Sequence, residues 1–371
     1  MSQMPLNYSA KDLKELQALT KDLVPLNLRR FWTDLILTAI VAWFFLYISF
    51  LSPNGGFTQI FSLLVATLAF YRGANFVHDI SHSHGELDTF KMAYNLLFGF
   101  FLRVPAYMGD SHNDHHSAAK FGTKLDPEYE SWGHRHEWNV FRPLLASLIS
   151  PFLLLFRMVF VTCAYLVRGI GLQQKVFVHL SSIVMNFSYA RSSFTEEQLN
   201  EMMESDVFCL LYTLTCFSVW ASSHFNIVGF LGYYSIFVVS NGLFSFRALG
   251  NHRYLSNFEK KGAGTQFFDS VSIVDDHSLI SKLATPLWAP LHSNFHSIHH
   301  LLPHMPYHAM PEIHRRLLAH PTWSHIYGAT TEKSLYSSLN KLYQRAKAHR
   351  VHEKNLAPLN SFTYEVSEKP N

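Results

Sequence analysis

The sequence predicts an all-α integral membrane protein: about four transmembrane helices in two hairpins, with interfacial helices and a cytosolic helical cap. Three observations carry that prediction. Apolar residues make up 48% and charged residues 15% of the 371 positions, well short of the quarter that charged residues usually occupy in soluble domains. Four apolar runs come in pairs, each pair joined by a short link. Lysine and arginine are missing from the intervals that contain those pairs, an asymmetry that fixes orientation through the positive-inside tendency. A net charge of +3 with no Lys/Arg-rich tract argues against nucleic acid as a partner.

Residues 1–30 are polar and charged where a secretory signal would be apolar, and read as a cytosolic N-terminal segment. Leu35–Leu51 is a run of seventeen residues without a charge, enough to cross a bilayer. The turn SPNGG (Ser52–Gly56) leads into a second apolar stretch, Phe57–Val77. No Lys or Arg occurs from Trp32 to Tyr71, whereas Lys11, Lys14, Lys21, Arg29 and Arg30 precede that interval. This hairpin therefore leaves from the cytoplasm and returns to it, delivering His78 there. Lys91–Met108 reads as an interfacial segment.

Val140–Val167 is apolar but broken by Arg142, Pro151 and Arg157. Histidine clusters that share one membrane face require an even number of crossings between them, so this stretch also reads as lying in the interface. Val207–Ser222 and Ile227–Phe246 form the second hairpin, and Arg247 is the first Lys or Arg after Arg191. It delivers Asn251 and His252 to the same face. Residues 31–308 then form a membrane catalytic domain, and 309–371 a cytosolic helical cap with Glu332–Arg350 as its last long helix.

The chain holds 23 histidines, and eight of them fall into three clusters. HDISH sets His78 and His82 four apart, HNDHH sets His112, His115 and His116 at i, i+3 and i+4, and NFHSIHHLLPHMPYH repeats that spacing at His296, His299 and His300. Residues three and four apart share one face of a helix, and neutral imidazole suits iron, copper, zinc and nickel. A single such cluster is weak, since a surface histidine pair arises by chance. Three clusters, each at the cytoplasmic end of an apolar element, point to a metal site. His179, His224, His320, His325, His349 and His352 read as ordinary surface residues. His84, His134, His136, His277, His292, His304 and His308 are candidate supporting partners. The three cysteines lie in apolar runs without a C-x-x-C, which leaves no thiolate cluster to expect.

The order H-x-x-x-H, H-x-x-H-H, H-x-x-H-H resembles the membrane fatty acid desaturase/hydroxylase superfamily, and its bacterial members in particular. FRALGNHRY (Phe246–Tyr254), FGTKLDPEY after the second cluster and QFFDSVSI before the third strengthen the resemblance, which covers Leu35 to Leu318. It implies nine histidine ligands to two non-haem irons: His78, His82, His112, His115, His116, His252, His296, His299 and His300. Asp79, Asp114 and Asp269 are the carboxylates expected to support them. His84 follows the first cluster closely, but the four-residue spacing from His78 favours His82 as the ligand.

The resemblance further implies O2 as co-substrate and an external supply of two electrons. The chain lacks an H-P-G-G haem segment, so a separate ferredoxin or cytochrome b5 is expected to dock on the cytoplasmic face, at a bacterial inner membrane rather than endoplasmic reticulum. A fatty acid or fatty acyl chain is the expected substrate, with free acid, acyl-CoA, acyl-carrier and lipid-linked forms all suited to a cytoplasmic-facing entrance. Membrane lipid is an expected partner, and Arg29, Arg30, Arg103 and Lys120 suit an anionic headgroup or a membrane anchor. Desaturation is the first expectation. Hydroxylation and alkene-forming decarboxylation are alternatives on the same scaffold, and a membrane zinc hydrolase is a minor one that nine candidate ligands and the missing H-E-x-x-H disfavour.

Overall fold

The computed structural model describes residues 8–360 apart from 84, 193, 223–226, 257–263 and 275–277. His84, His224 and His277 lie outside the described residues, as does the side chain of His352. The chain opens with α1 (Ala10–Thr20), which starts on a capping box between Ser9 and Asp12. The first hairpin pairs α2 (Leu28–Leu51) with α3 (Phe57–Ala74). Gly55 at its tip has φ 75°, a conformation that costs glycine nothing. Phe31, Leu35, Ala39, Ala42 and Leu46 turn inward along α2, while Leu37, Ile40, Phe44, Tyr47 and Leu51 face out. An apolar outer face over an apolar inner one marks a helix solvated by lipid.

A break at Asn75 starts α4 (Phe76–Ser81), which carries His78. Next come α5 (Asp88–Tyr94), a π-helical turn over Asn95–Gly99 and α6 (Phe100–Leu102). This stretch does not lie flat in the interface. Trp43 Nε1 donates to the Leu97 carbonyl at 3.0 Å, and Phe101 stacks on Phe70 at 4.5 Å. Phe98 packs so close to Gly73 that a Cβ there would meet its ring at 2.2 Å. The segment Phe98–Leu102 is apolar on every side, so burial between helices suits it better than an interface with one wet face. Arg103, in a left-handed turn with φ 58°, sends the chain back toward α7 (His112–His115).

The stretch Val140–Val167 becomes α8 (Arg142–Leu155), a π-helical turn over Phe156–Val161 and α9 (Thr162–Arg168). By length and composition it joins the other candidate spans, making five among the described residues where the sequence predicted about four. It packs against the second hairpin, which is formed by α11 (Glu196–Ser222) and α12 (Ile227–Asn251) and preceded by the short α10 (Ile170–Leu180). Ser150 accepts from Asn241 of α12 at 2.9 Å, and Arg157 pairs with Asp206 of α11 at 2.8 Å. His115 and His252 meet at 3.1 Å, so the chain between them crosses the membrane an even number of times. Three candidate spans lie in that interval. An even number of crossings leaves at least one of the three not passing fully through the membrane.

The Arg157–Asp206 pair is buried, and the hydroxyls of Tyr107 and Tyr165 also donate to Asp206. Removing one partner of such a pair strands the other charge. Asp206→Ala is therefore expected to lower unfolding stability by about 3–5 kcal/mol, measured by denaturant melting in detergent. An Arg157→Met/Asp206→Leu double variant should recover most of that loss.

After α12 come α13 (Gly264–Asp269), the two-residue strand β1 (Ser272–Ile273) and α14 (Leu279–Trp288). Leu279, Ile280, Leu283 and Leu287 are all exposed on α14, an apolar stripe fit to lie in a lipid headgroup layer. Sequence reading did not single this helix out. After α15 (His296–Leu301) come α16 (Met310–Ala319), α17 (Pro321–Gly328), β2 (Thr331–Glu332) and α18 (Leu335–Asn360). β1 and β2 pair in parallel, Ser272 with Thr331 and Ile273 with Glu332. A cluster built on Trp323, Tyr327 and Ile313 joins α16 and α17 to Leu16 of α1 and Ile298 of α15. The third histidine cluster is thus clamped through Ile298 by α1, α16 and α17.

Candidate metal centre

Four short elements deliver the imidazoles. α4 presents His78, with His82 at its C-cap. α7 presents His112 and His115, with His116 at its C-cap. His252 follows the last residue of α12, and α15 presents His296, His299 and His300. All nine predicted histidines converge. His78, His82, His112 and His299 bring one ring nitrogen each within 4.8 Å of one another, and His115, His252, His296 and His300 form a second such group. His116 joins the first: its Nε2 lies 3.0 Å from His112 Nε2, and its ring stacks on His300 at 4.2 Å.

Within the groups the Nε2 atoms face each other at 3.1 Å for His115 and His252, 2.9 Å for His252 and His296, 3.1 Å for His296 and His300, and 3.3 Å for His112 and His299. Nitrogen atoms bound to one ion at about 2.1 Å, with a right angle between them, stand about 3.0 Å apart. The donor set therefore fits two metal ions, one in each group.

Two carboxylates set which ring nitrogen is free. His115 Nδ1 lies 2.9 Å and 3.0 Å from the two oxygens of Asp126, and His112 Nδ1 lies 2.6 Å from Glu128. An Nδ1–H donated to a carboxylate leaves the Nε2 lone pair for a metal. Asp126 also accepts from the backbone N–H groups of Gly122, Glu128 and Tyr129, and Gly122 reaches this turn at φ 66°. Burial alone raises the Glu128 carboxyl, but the adjacent His112 and its hydrogen bond outweigh it, holding that group well below the usual carboxylate range. Burial likewise lowers His115, and Asp126 more than reverses the shift. Burial, reinforced by neighbouring imidazoles, keeps His116, His252, His296, His299 and His300 well below the ordinary histidine value. Those rings are neutral near pH 7, as ligands need to be.

Of the three carboxylates expected from sequence, Asp79 and Asp269 stand at ion-pair distance from a ligand ring. Asp79 accepts from the Tyr307 N–H at 3.2 Å and stands 4.0 Å from His78 Nδ1. Asp114 pairs with Lys120 at 2.6 Å and accepts from the Tyr189 hydroxyl at 2.8 Å. Asp269 is buried 3.9 Å from His252 Nδ1, and spends its oxygens on the Tyr129 hydroxyl and the N–H groups of Arg253, Tyr254 and Leu255. It braces the turn after His252, where Tyr254 has φ 52°. Asp126 and Glu128 were missed, although both stand in the quoted FGTKLDPEY segment. Of the other histidines, His134 binds the Leu255 carbonyl at 3.2 Å, and His308 accepts from the Asn27 N–H at 3.3 Å. A cavity of about 60 Å³ touches His78, His82 and His299 of the first group and His296 of the second. Arg247, His292 and His304 also line it.

Residues 55–327 match the family described as Fatty acid desaturase. The chain belongs to the fatty acid desaturase family. As a desaturase-family protein with apolar spanning helices, it is a membrane oxidoreductase of lipid, and the family's chemistry is that of a non-haem di-iron centre using O2. This desaturase-family chain is also similar to a ceramide hydroxylase of Caulobacter vibrioides, with 28% identity over 345 residues that span 92% of this chain and 96% of the relative.

Proposed function

We propose that the protein hydroxylates a ceramide-like lipid, a long-chain N-acyl amide, at a di-iron centre on the cytoplasmic side of a bacterial inner membrane. The single observation that carries the di-iron reading is the convergence of nine imidazoles into two groups with Nε2 atoms about 3 Å apart. Hydroxylation and the amide substrate are supported by the relative, which matches along nearly its whole length. His78, His82, His112, His116 and His299 would hold one iron, and His115, His252, His296 and His300 the other. When bound, the irons supply the O2-dependent oxidising power for an unactivated C–H bond, which no acid–base side chain provides. The overall change converts C–H, O2, two electrons and two protons into C–OH and water.

The remaining work falls to the chain. Asp126 and Glu128 orient His115 and His112 and retain the Nδ1 protons. Phe121 lies 5.3 Å, 5.7 Å and 5.6 Å from the rings of His115, His252 and His300, and shields that group from water. Electrons reach the site from a separate ferredoxin-type or cytochrome b5-type carrier at the cytoplasmic face, the side that the distribution of Lys and Arg supports.

A second reading is favoured by the family description: loss of a second hydrogen from the neighbouring carbon, giving a double bond and two waters. The test is to express the protein with a ceramide pool and isotope-labelled O2, then analyse the lipids by mass spectrometry. Labelled oxygen in the lipid is the expected result. A new double bond without label would replace hydroxylation by desaturation, and an unchanged lipid pool would sink both.

A further inference from the structure

The cavity beside the histidines carries a feature that the metal centre does not use. Arg247, in the last turns of α12 and five residues before His252, is 6% exposed, yet has no carboxylate partner among the described residues. One guanidinium nitrogen donates to the Ser293 hydroxyl at 2.6 Å, while Nε is buried without a partner. A buried cation left without an anion is costly, and an unmet buried donor adds to that cost. Strain gathers at the same wall. Leu291 and His292, just ahead of Ser293, both have φ 55°, a conformation that residues with a Cβ adopt at a price and that collects at binding sites.

The other groups on the wall narrow the occupant. Asp79 and Glu86 line the cavity opposite a single cation, and Ser83 and Ser293 add hydroxyls. A neutral amide headgroup suits this wall, because its carbonyl accepts from Arg247 while its N–H or hydroxyls donate to Asp79, Glu86 and the serine hydroxyls. The cavity, about 60 Å³, has room for several water-sized groups, since about 10–15 Å³ by the same measure holds one water. The same wall carries imidazoles of both metal groups, so a headgroup held here would leave only nearby carbons within reach of the oxidising centre.

We propose that Arg247 binds the carbonyl oxygen of a neutral amide headgroup in this cavity, setting the oxidised carbon within a few bonds of the amide. The proposal rests on the di-iron reading above for its catalytic meaning, but its test is a binding measurement. Iron-loaded full-length protein in detergent is titrated with three probes: a short-chain ceramide, palmitate and hexadecane. The wild type should bind the ceramide most tightly. Arg247→Gln should weaken the ceramide by about 10- to 100-fold, leave hexadecane within about twofold, and retain its iron; Arg247→Lys should recover part of the loss. Equal weakening for hexadecane would make Arg247 a merely structural residue and overturn the proposal. So would selective loss of palmitate, which would mark a carboxylate site, or no change for any probe. Ceramide binding that depends on Arg247, with no O2-dependent product from wild-type protein, would sink the hydroxylase reading and leave this one standing.

Discussion

His115→Ala is expected to leave the protein with at most one iron per chain and to lower turnover by more than about 100-fold, the upper end of what losing an outer-sphere partner costs a metal site. His115 is fully buried, faces His252 at 3.1 Å, and is anchored by both oxygens of Asp126. Alanine removes a ligand atom and leaves Asp126, with three backbone donors still attached, facing an empty space. The other group keeps its own imidazoles, so one ion stays. Iron counting by plasma mass spectrometry, alongside product formation under O2, checks both halves. Two irons with undiminished turnover would show that His115 is not a required ligand.

Asp126→Asn tests the carboxylate instead of the ring. Both oxygens of Asp126 act only as acceptors: one takes the His115 ring and the N–H groups of Glu128 and Tyr129, the other the ring and the Gly122 N–H. An asparagine presents an NH2 group to at least one of these donors, so either the turn 122–129 opens or His115 rotates. Iron affinity should fall by about 10- to 100-fold, with a lower melting temperature for the metal-free protein. Unchanged affinity would mean that His115 is held by its surroundings without Asp126.

Much of the site was legible because its rule is local. Spacings of three and four residues place imidazoles on one helix face, so His112, His115 and His116 could be grouped without knowing the fold. The gap before His252 could be bridged only by resemblance, since a lone histidine after an apolar helix has no periodicity to mark it. Asp126 and Glu128 escaped notice for a different reason. Their contacts depend on a tight turn through Gly122, and Asp79, Asp114 and Asp269 looked equally plausible until the turn was seen. For the fold, the charge asymmetry identified both hairpins, whereas Val140–Val167, read as lying in the interface, is long and apolar enough to count as a fifth candidate span. The same reasoning read Lys91–Met108 as interfacial and did not foresee that Phe98–Leu102 within it is buried between helices, because an apolar stretch flanked by charges looks alike whether it floats at an interface or wedges between helices. The stripe on α14 went unseen because Pro286 interrupts its pattern.

Two one-turn helices each straddle the pair of groups. On α7, His112 serves the first and His115 the second; on α15, His299 serves the first and His296 and His300 the second. On α7 and α15 the spacing of the two groups is therefore set by the pitch of short helices. Leaflets that thicken or thin as lipid composition changes can lean α2 and α11, which carry none of the nine imidazoles, without directly moving a ring of either group. Such a geometry lets the same chemistry persist across membranes of differing thickness.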